Sequence, residues 1–421
     1  MQAVESAQRN GDEFVKEFII SHRKLPRIVE DLILIELWKE KVLPMIFRQK
    51  EEPSLTFPIY TVIHHELVLA NLLETVTYHA AAAESLDDAA IDLADWCYRA
   101  LCYMVANYAS EENKSEYLNS KDKVSAESNL EDLERQSRVI AFDKGMKAVS
   151  LVRHLIDHSV SENSVLPLSV LRRLLFTNDV VLVLCQLLER KPWKARLLEK
   201  DGKGKQTLVW QENCTWIQEK DASHIGKVEG QIWICLYQIL LANRSGLQYD
   251  YHAGHKRAAL LKLRSHMTEN IVDVIPVLMD LRRFLEQLSM SEGGSSSSLT
   301  NVCLVEAIPE IRENAKRKYA KKWTEICTEF KERIQSKRGL EAAKRAANQW
   351  SETYSEEYLE KILSNMGDMK VNPSGESPHC AMCGENASKR CSRCRNEWYC
   401  RRECQVKHWP KHKKMCDLIN K

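Results

Sequence analysis

CAMCGENASKRCSRCRNEWYCRRECQVKHWPKHKKMC, residues 380–416, decides how the end of this chain folds. Its candidate ligands are spaced Cys380-x2-Cys383-x7-Cys391-x2-Cys394-x5-Cys400-x3-Cys404-x7-His412-x3-Cys416. Zinc takes four thiolate or imidazole ligands in a tetrahedron, and a two-residue gap lets paired cysteines turn back onto one metal. Eight ligands make two closed sites with no open position for water or substrate, so the spacing points to structural and not catalytic zinc. A segment this short cannot bury enough apolar surface to fold alone, and metal binding has to supply the missing stability. Trp398, Tyr399, Val406, Trp409 and Met415 could form only a miniature core and a surface patch. A ninth candidate, His408, stands four residues before His412, where helical spacing could bring both to one metal.

Upstream, the composition is that of a folded chain. Of 421 residues, 44% are hydrophobic and 29% charged, with a formal net charge of +2, which suits two or three domains and demands no nucleic acid. The Met1 end carries no apolar signal core, and the greasiest runs, such as residues 32–37, fall far short of the ~20 residues that span a bilayer. A cytosolic, non-membrane protein is expected. Half of the fourteen cysteines crowd into residues 380–416. The others, Cys97, Cys102, Cys185, Cys214, Cys235, Cys303 and Cys327, lie mostly in apolar helical patterns and read as buried small hydrophobes in a reducing compartment.

Helical periodicity dominates as far as residue 290. Pro26 suits a first helical turn, Ile28, Leu32, Ile35 and Val42 follow on one face, and Pro44 is expected to end that helix. Phe57-Pro58-Ile59-Tyr60 opens a second, carrying Val62, Leu67, Leu69, Leu72, Leu73 and Val76. A third, from near Ser85, sets Leu93, Cys97, Leu101 and Val105 opposite Asp88, Asp92 and Asp95, which read as a solvated face.

These three make an N-terminal helical region, residues 1–108, and a polar linker running into a helix follows at 109–138. From 139 to 290, short helices with brief breaks predict a body of armadillo or HEAT type. Leu208-Val209-Trp210 and Thr215-Trp216-Ile217 predict a small β-hairpin insert, with helices resuming at Gln231 and Pro276 bending one of the last. A flexible tether (291–300), charged helices serving as a spacer (301–365) and a linker (366–379) lead to the finger at 380–416. In the charged helices Lys316, Arg317, Lys318, Lys321 and Lys322 alternate with Trp323, Ile326 and Phe330. That basic run reads as an exposed helix face or, more sharply, as a contact surface for acidic partners. The expected fold class is thus mostly α: an armadillo/HEAT-like helical body with a small β-hairpin insert, then charged helices and a C-terminal two-zinc finger.

The spacing and the run CRRECQVKHWPKHKKMC resemble a MYND-type zinc finger, a family in which two sites interleave. The resemblance implies that Cys380, Cys383, Cys400 and Cys404 hold one zinc and that Cys391, Cys394, His412 and Cys416 hold the other, leaving His408 at the surface. MYND fingers bind short, often proline-containing protein segments, and the resemblance implies that Gln405 and Trp409 line the peptide groove. Tryptophan can stack on proline, and glutamine can bond backbone. The competing reading is that Trp409 only covers the second zinc site.

FPIY with His64-His65-Glu66, NLLETV at Asn71, GQIWICLY at Gly230, IPEI at Ile308 and ASKRCSRCRNEWYC extend the likeness over nearly the whole chain. It is similar to MYND-finger proteins that act as axonemal dynein assembly factors. This implies a non-enzymatic adaptor or co-chaperone in the cytoplasm, near the centrosome, centriolar satellites or ciliary base. Its implied partners are a leucine-rich-repeat dynein assembly factor at the finger, with chaperone machinery and dynein chains as clients. Family members extend further upstream than MQAVES, so the first helical layer is incomplete or the chain is a shorter form.

Two alternatives remain. MYND fingers also sit in SET-type lysine methyltransferases, but there the finger is an early insertion among strand-rich catalytic segments, whereas here it is terminal and the body helical. No GxSxG, P-loop or GxGxxG is present, and His64-His65-Glu66 lacks the spacing of HExxH, so these three read as ordinary helix residues. A transcriptional co-regulator or nucleic-acid adaptor draws on the 11 basic against 4 acidic residues of 377–421. Neither a recognition helix nor an aromatic stacking platform accompanies that charge, which would equally suit an acidic protein segment.

Overall fold

Helix α1 (Leu25–Lys41) begins where Pro26 occupies a first turn whose N–H groups have no helical partner in any case. In this computed structural model the described residues are 20–48, 56–108, 129–198, 205–211, 215–218, 225–290, 307–336, a few positions between 339 and 391, and 398–419. The buried face of α1 is Leu25, Val29, Leu32, Ile33 and Leu37. Ile28 and Ile35, expected at the centre of the stripe, are half-buried at its edge, because α1 carries apolar residues on neighbouring faces and periodicity alone does not choose among them. Pro44 does not end α1. That helix stops at Lys41, and Pro44 sits in the first turn of α2 (Leu43–Phe47), since proline starts a helix as readily as it stops one.

Next come α3 (Phe57–Thr77), opened by Pro58 as expected, α4 (Ala80–Glu84) and α5 (Ala89–Asn107). The 32-residue α6 (Asn129–Val160) is the hub of the body, with α3 and α5 packed along it. It starts within 109–138, the stretch expected to be a polar linker running into a helix; residues 109–128 lie outside the described residues. Then follow α7 (Leu168–Arg172), which runs into a π-helical turn, and α8 (Val180–Arg190).

The insert is a three-stranded antiparallel sheet in the order β1 (Lys194–Leu198), β2 (Lys205–Gln211), β3 (Thr215–Gln218). The expected hairpin is β2–β3, with Trp210 opposite Trp216. Strand β1 pairs Lys194 with Val209 through Leu198 with Lys205. Its KARLL sequence carries no strand signal, since basic residues and leucines directly after α8 suit a helix end equally well.

Helices resume at α9 (Lys227–Leu240), followed by α10 (Gly254–Lys262), α11 (Glu269–Val274) and α12 (Leu278–Met290). Pro276 lies in the break between α11 and α12 and does not bend one continuous helix. Both α7 and α9 also pack on α6, so residues 25–108 and 139–290 share one hydrophobic core. The chain divides into two compact units, Met1–Gly339 and Leu340–Lys421.

Residues 311–335, expected in a spacer, belong to the first unit. Helix α13 (Ile311–Tyr319) packs on α1, and α14 (Trp323–Gln335) sends Trp323, Ile326, Cys327 and Phe330 into a second core with Val42, Ile46, Ile59 and Ile63. The Trp38 and Phe330 rings meet edge to face at 5.1 Å. Arg312 bonds Glu36 at 2.9 Å and Glu40 at 2.5 Å, while Arg99 clamps the same Glu36.

The acids of α5 do not form a solvated face. Asp92 is buried and accepts the backbone N–H groups of Glu310 and Ile311, 218 and 219 residues away, at 3.2 and 3.0 Å. It thereby caps α13 from another helix, the role an N-cap side chain normally fills locally. Burial raises the Asp92 carboxyl above its ordinary value, opposed by those same N–H groups. Asp95 receives both Nε and Nη2 of Arg173 at 2.8 Å, and Asn178 at 2.9 Å. Of the three acids, only Asp88 is exposed.

Fully buried Glu66 accepts Lys39 Nζ at 2.8 Å, Lys144 Nζ at 3.0 Å and Trp96 Nε1 at 3.2 Å, tying α1, α3, α5 and α6 together. Burial works to raise its pKa, but the charges of Lys144 and Lys39 prevail and hold it at about 2. His64, whose ring stacks on Tyr60 at 5.6 Å, and Glu66 are thus helix residues with structural partners. Cys97, Cys185, Cys235 and Cys327 are buried, as expected, and Cys102 is half-buried; Cys214 and Cys303 lie outside the described residues. Desolvation pushes the Cys185 and Cys235 thiols up to about 12, so they pack as inert hydrophobes. Among the described residues no helix is long and apolar enough to cross a membrane.

Candidate metal centre and finger surface

In the second unit, β4 (Lys389–Arg390) pairs antiparallel with β5 (Trp398–Tyr399), and α15 (Arg402–Ile419) follows. Cys391 directly follows β4, Cys400 directly follows β5, and Cys404 lies in the first turn of α15. A tight loop brings in the remaining pair: the Cys380 N–H donates to the Glu385 carbonyl at 2.7 Å. The loop of Cys380 and Cys383, the residue after β5 and the first turn of α15 therefore converge on one point.

Ligand atoms of Cys380, Cys383, Cys400 and Cys404 all lie within 4.8 Å of one another. Sulfur to sulfur, Cys383 to Cys400 is 3.4 Å, Cys400 to Cys404 is 3.5 Å and Cys404 to Cys383 is 3.9 Å. Four thiolates at the usual zinc–sulfur distance of about 2.3 Å stand about 3.8 Å apart along the tetrahedron's edges, so this cluster fits zinc. Desolvation opposes ionisation of Cys380, but backbone N–H groups of Cys400, Met382 and Cys383 outweigh it and bring the thiol down to about 6. Such a thiol is readily supplied as the thiolate that zinc binds. Among the described residues this is the one group of three or more side chains able to hold a metal.

Of the other four expected ligands, the structure brings two together. His412 Nε2 lies 3.4 Å from Cys391 Sγ, and both residues are buried. Imidazole and thiolate on one zinc stand about 3.6 Å apart, so this pair also fits. Cys394 lies outside the described residues, as does the side chain of Cys416, whose backbone belongs to α15.

His408, expected at the surface, is half-buried and has partners within the finger. Its Nδ1 is hydrogen-bonded to the Tyr399 hydroxyl at 3.0 Å, and its ring stacks on His412 at 5.9 Å with 16° between planes. The helical step from 408 to 412 was the visible signal; what remained hidden was Tyr399, brought to the same face by β5. Trp409 stands edge-on to the His412 ring at 5.8 Å and is half-buried. Gln405, one turn earlier on the same face of α15, is also half-buried, and Val406 beside it is 63% exposed. Trp409 thus does cover the His412 side of the finger, and a part of it still reaches the surface.

Residues 380–416 match the MYND finger family. Over 426 residues the chain is 30% identical to a zinc finger MYND domain-containing protein 10 homolog of Drosophila melanogaster, covering 99% of this chain and 90% of that protein. No solved structure matches. A helical body ending in a four-thiol metal cluster and this finger defines a MYND-finger adaptor protein. The chain belongs to the zinc finger MYND domain-containing protein 10 family.

Proposed function

We propose that this protein is a non-enzymatic adaptor, or co-chaperone, for the cytoplasmic preassembly of axonemal dynein arms. It docks partner proteins through the finger and the helical body, a leucine-rich-repeat dynein assembly factor at the finger, with chaperone machinery and dynein chains as clients. It works in the cytoplasm of ciliated cells, near the centrosome, centriolar satellites or ciliary base. The observation that carries this reading is a family relationship spanning both units, joined to a metal cluster of four protein sulfurs. Zinc held by four protein ligands has no open position for a substrate, so its work is to keep the finger folded. Two structural zinc ions fill this role, the second held by Cys391, Cys394, His412 and Cys416. Gln405 and Trp409, one helical turn apart, form the floor of the peptide groove. Carrying two docking surfaces on one chain raises the effective concentration of client and chaperone for each other.

The double variant Gln405→Ala with Trp409→Ala tests the finger. Capture of the leucine-rich-repeat factor from ciliating cells should fall by at least ~10-fold while the zinc content stays that of the intact protein. Undiminished capture overturns the groove, and loss of zinc assigns Trp409 to the metal shell alone. Transfer of labelled methyl groups by the purified protein to dynein or chaperone components would overturn the non-enzymatic reading.

A further inference from the structure

The basic corner where α13 meets α14 has no part in the adaptor reading. Two of its cations are committed locally: Arg312 to Glu36 and Glu40, and Lys316 to Glu313 at 2.7 Å. Arg317, Lys318, Lys321 and Lys322 are exposed and form no ion pair among the described residues. Arg317 bonds the neutral Asn314 amide oxygen and acts on Glu313 only through space, and Lys318 lies over the Tyr319 ring at 5.2 Å, so neither is held in an ion pair.

Helix stability accounts for part of this run. Lys316, Arg317 and Lys318 lie in the last turn of α13, where the helix dipole favours cations. Lys321 and Lys322 stand between the two helices, just past the Ala320 C-cap of α13, where its dipole favours cations, and at the N-terminus of α14, where the second dipole opposes them. Four exposed cations gathered at one helix junction create a positive potential that favours an anionic ligand. Beside them, a cavity of about 260 Å³ opens between α1, which lines it with Glu30 and Leu34, and α13, which lines it with Ile311, Asn314, Ala315, Lys318 and Tyr319.

We propose that this corner docks an acidic segment of a partner protein, its carboxylates on Arg317, Lys318, Lys321 and Lys322 and one apolar side chain in the cavity. Protein fits better than nucleic acid. The cations are confined to one helix junction, Glu30 and Glu313 flank them, and the nearest aromatic ring, Tyr319, is half-buried and offers no platform for a base. The site is independent of the finger.

The test uses the full-length, zinc-loaded protein and two labelled peptides of alternating Glu and Asp, one with a central leucine and one without, followed by fluorescence anisotropy. The leucine peptide should bind more tightly, and raising salt to roughly 0.3 M should weaken both. Lys321→Glu with Lys322→Glu should lower affinity for either peptide by at least ~10-fold with an unchanged melting curve. Asn314→Trp, which blocks the cavity, should reduce the leucine peptide to the affinity of the other. The finger variant Gln405→Ala with Trp409→Ala should bind both peptides normally, so failure of the finger reading and failure of this one are separable. Equal binding by wild-type and charge-reversed protein overturns the proposal. So does tighter binding to a single-stranded oligonucleotide or to phosphatidylserine vesicles than to the leucine peptide.

Discussion

Glu66 and Glu229 solve burial with the same two kinds of partner, a lysine ammonium and a tryptophan N–H. Glu229 accepts Lys191 at 2.7 Å and Trp193 at 3.2 Å, much as Glu66 accepts Lys39, Lys144 and Trp96. Removing one member of a buried ion group costs more than the group contributes, because the remainder stays desolvated and unpaired. Glu66→Gln, which strands two lysines, should lower unfolding free energy by ~3–5 kcal/mol in urea denaturation. The same environment sets the response to acid. Burial depresses His154 to about 4, where its Nδ1 is hydrogen-bonded to Thr77 at 3.1 Å. A base depressed in the folded state lends stability above its unfolded pKa and loses it as pH falls through the folded value. Stability should therefore begin to fall below pH 6.5 and lose the His154 share by about pH 4, with Glu66 contributing a second loss between about 4.5 and 2. His154→Gln should shrink the first stage in a pH series of urea midpoints, leaving the share of His64, His65 and His266, which burial also lowers, and should leave the second stage.

Among the elements, the helices were the most legible part of the body, and their connections the least. Pro26 and Pro58 announce α1 and α3 because a proline's missing N–H belongs in a first turn, but the same chemistry made Pro44 ambiguous. Asp92 reads as solvated in sequence because its partners, the N–H groups at the start of α13, lie 218 and 219 residues away and leave no local periodicity. The four-cysteine cluster of the finger is legible for the opposite reason: metal-ligand spacing is itself the chemistry. Asp92 also supplies a measurable coupling between elements. Asp92→Ala should cost ~1–2 kcal/mol and make residues 311–335 the first site of limited proteolysis, whereas Asp92→Asn, which keeps one acceptor, should cost less.

On the scale of the whole molecule, the two units rest on different sources of stability. The first has a shared hydrophobic core, while the finger's buried cluster amounts to Cys380, Ala387, Cys391, Tyr399 and Cys404, three of them metal-ligand candidates. Stripping zinc with a strong chelator should abolish the finger's tertiary NMR signals and leave the thermal transition of the helical body in place. A single transition that shifts as a whole would contradict this division.

The cap that Asp92 places on a helix beginning at Ile311 has a bearing on protein synthesis. When the ribosome has delivered residue 290, the body's helices are present, but a buried carboxylate still waits for its donors and Trp38 for Phe330. Premature stop codons should accordingly fall into two groups: those past residue 339 yield a finger-less body that accumulates, and those ahead of 311 yield a product destined for degradation.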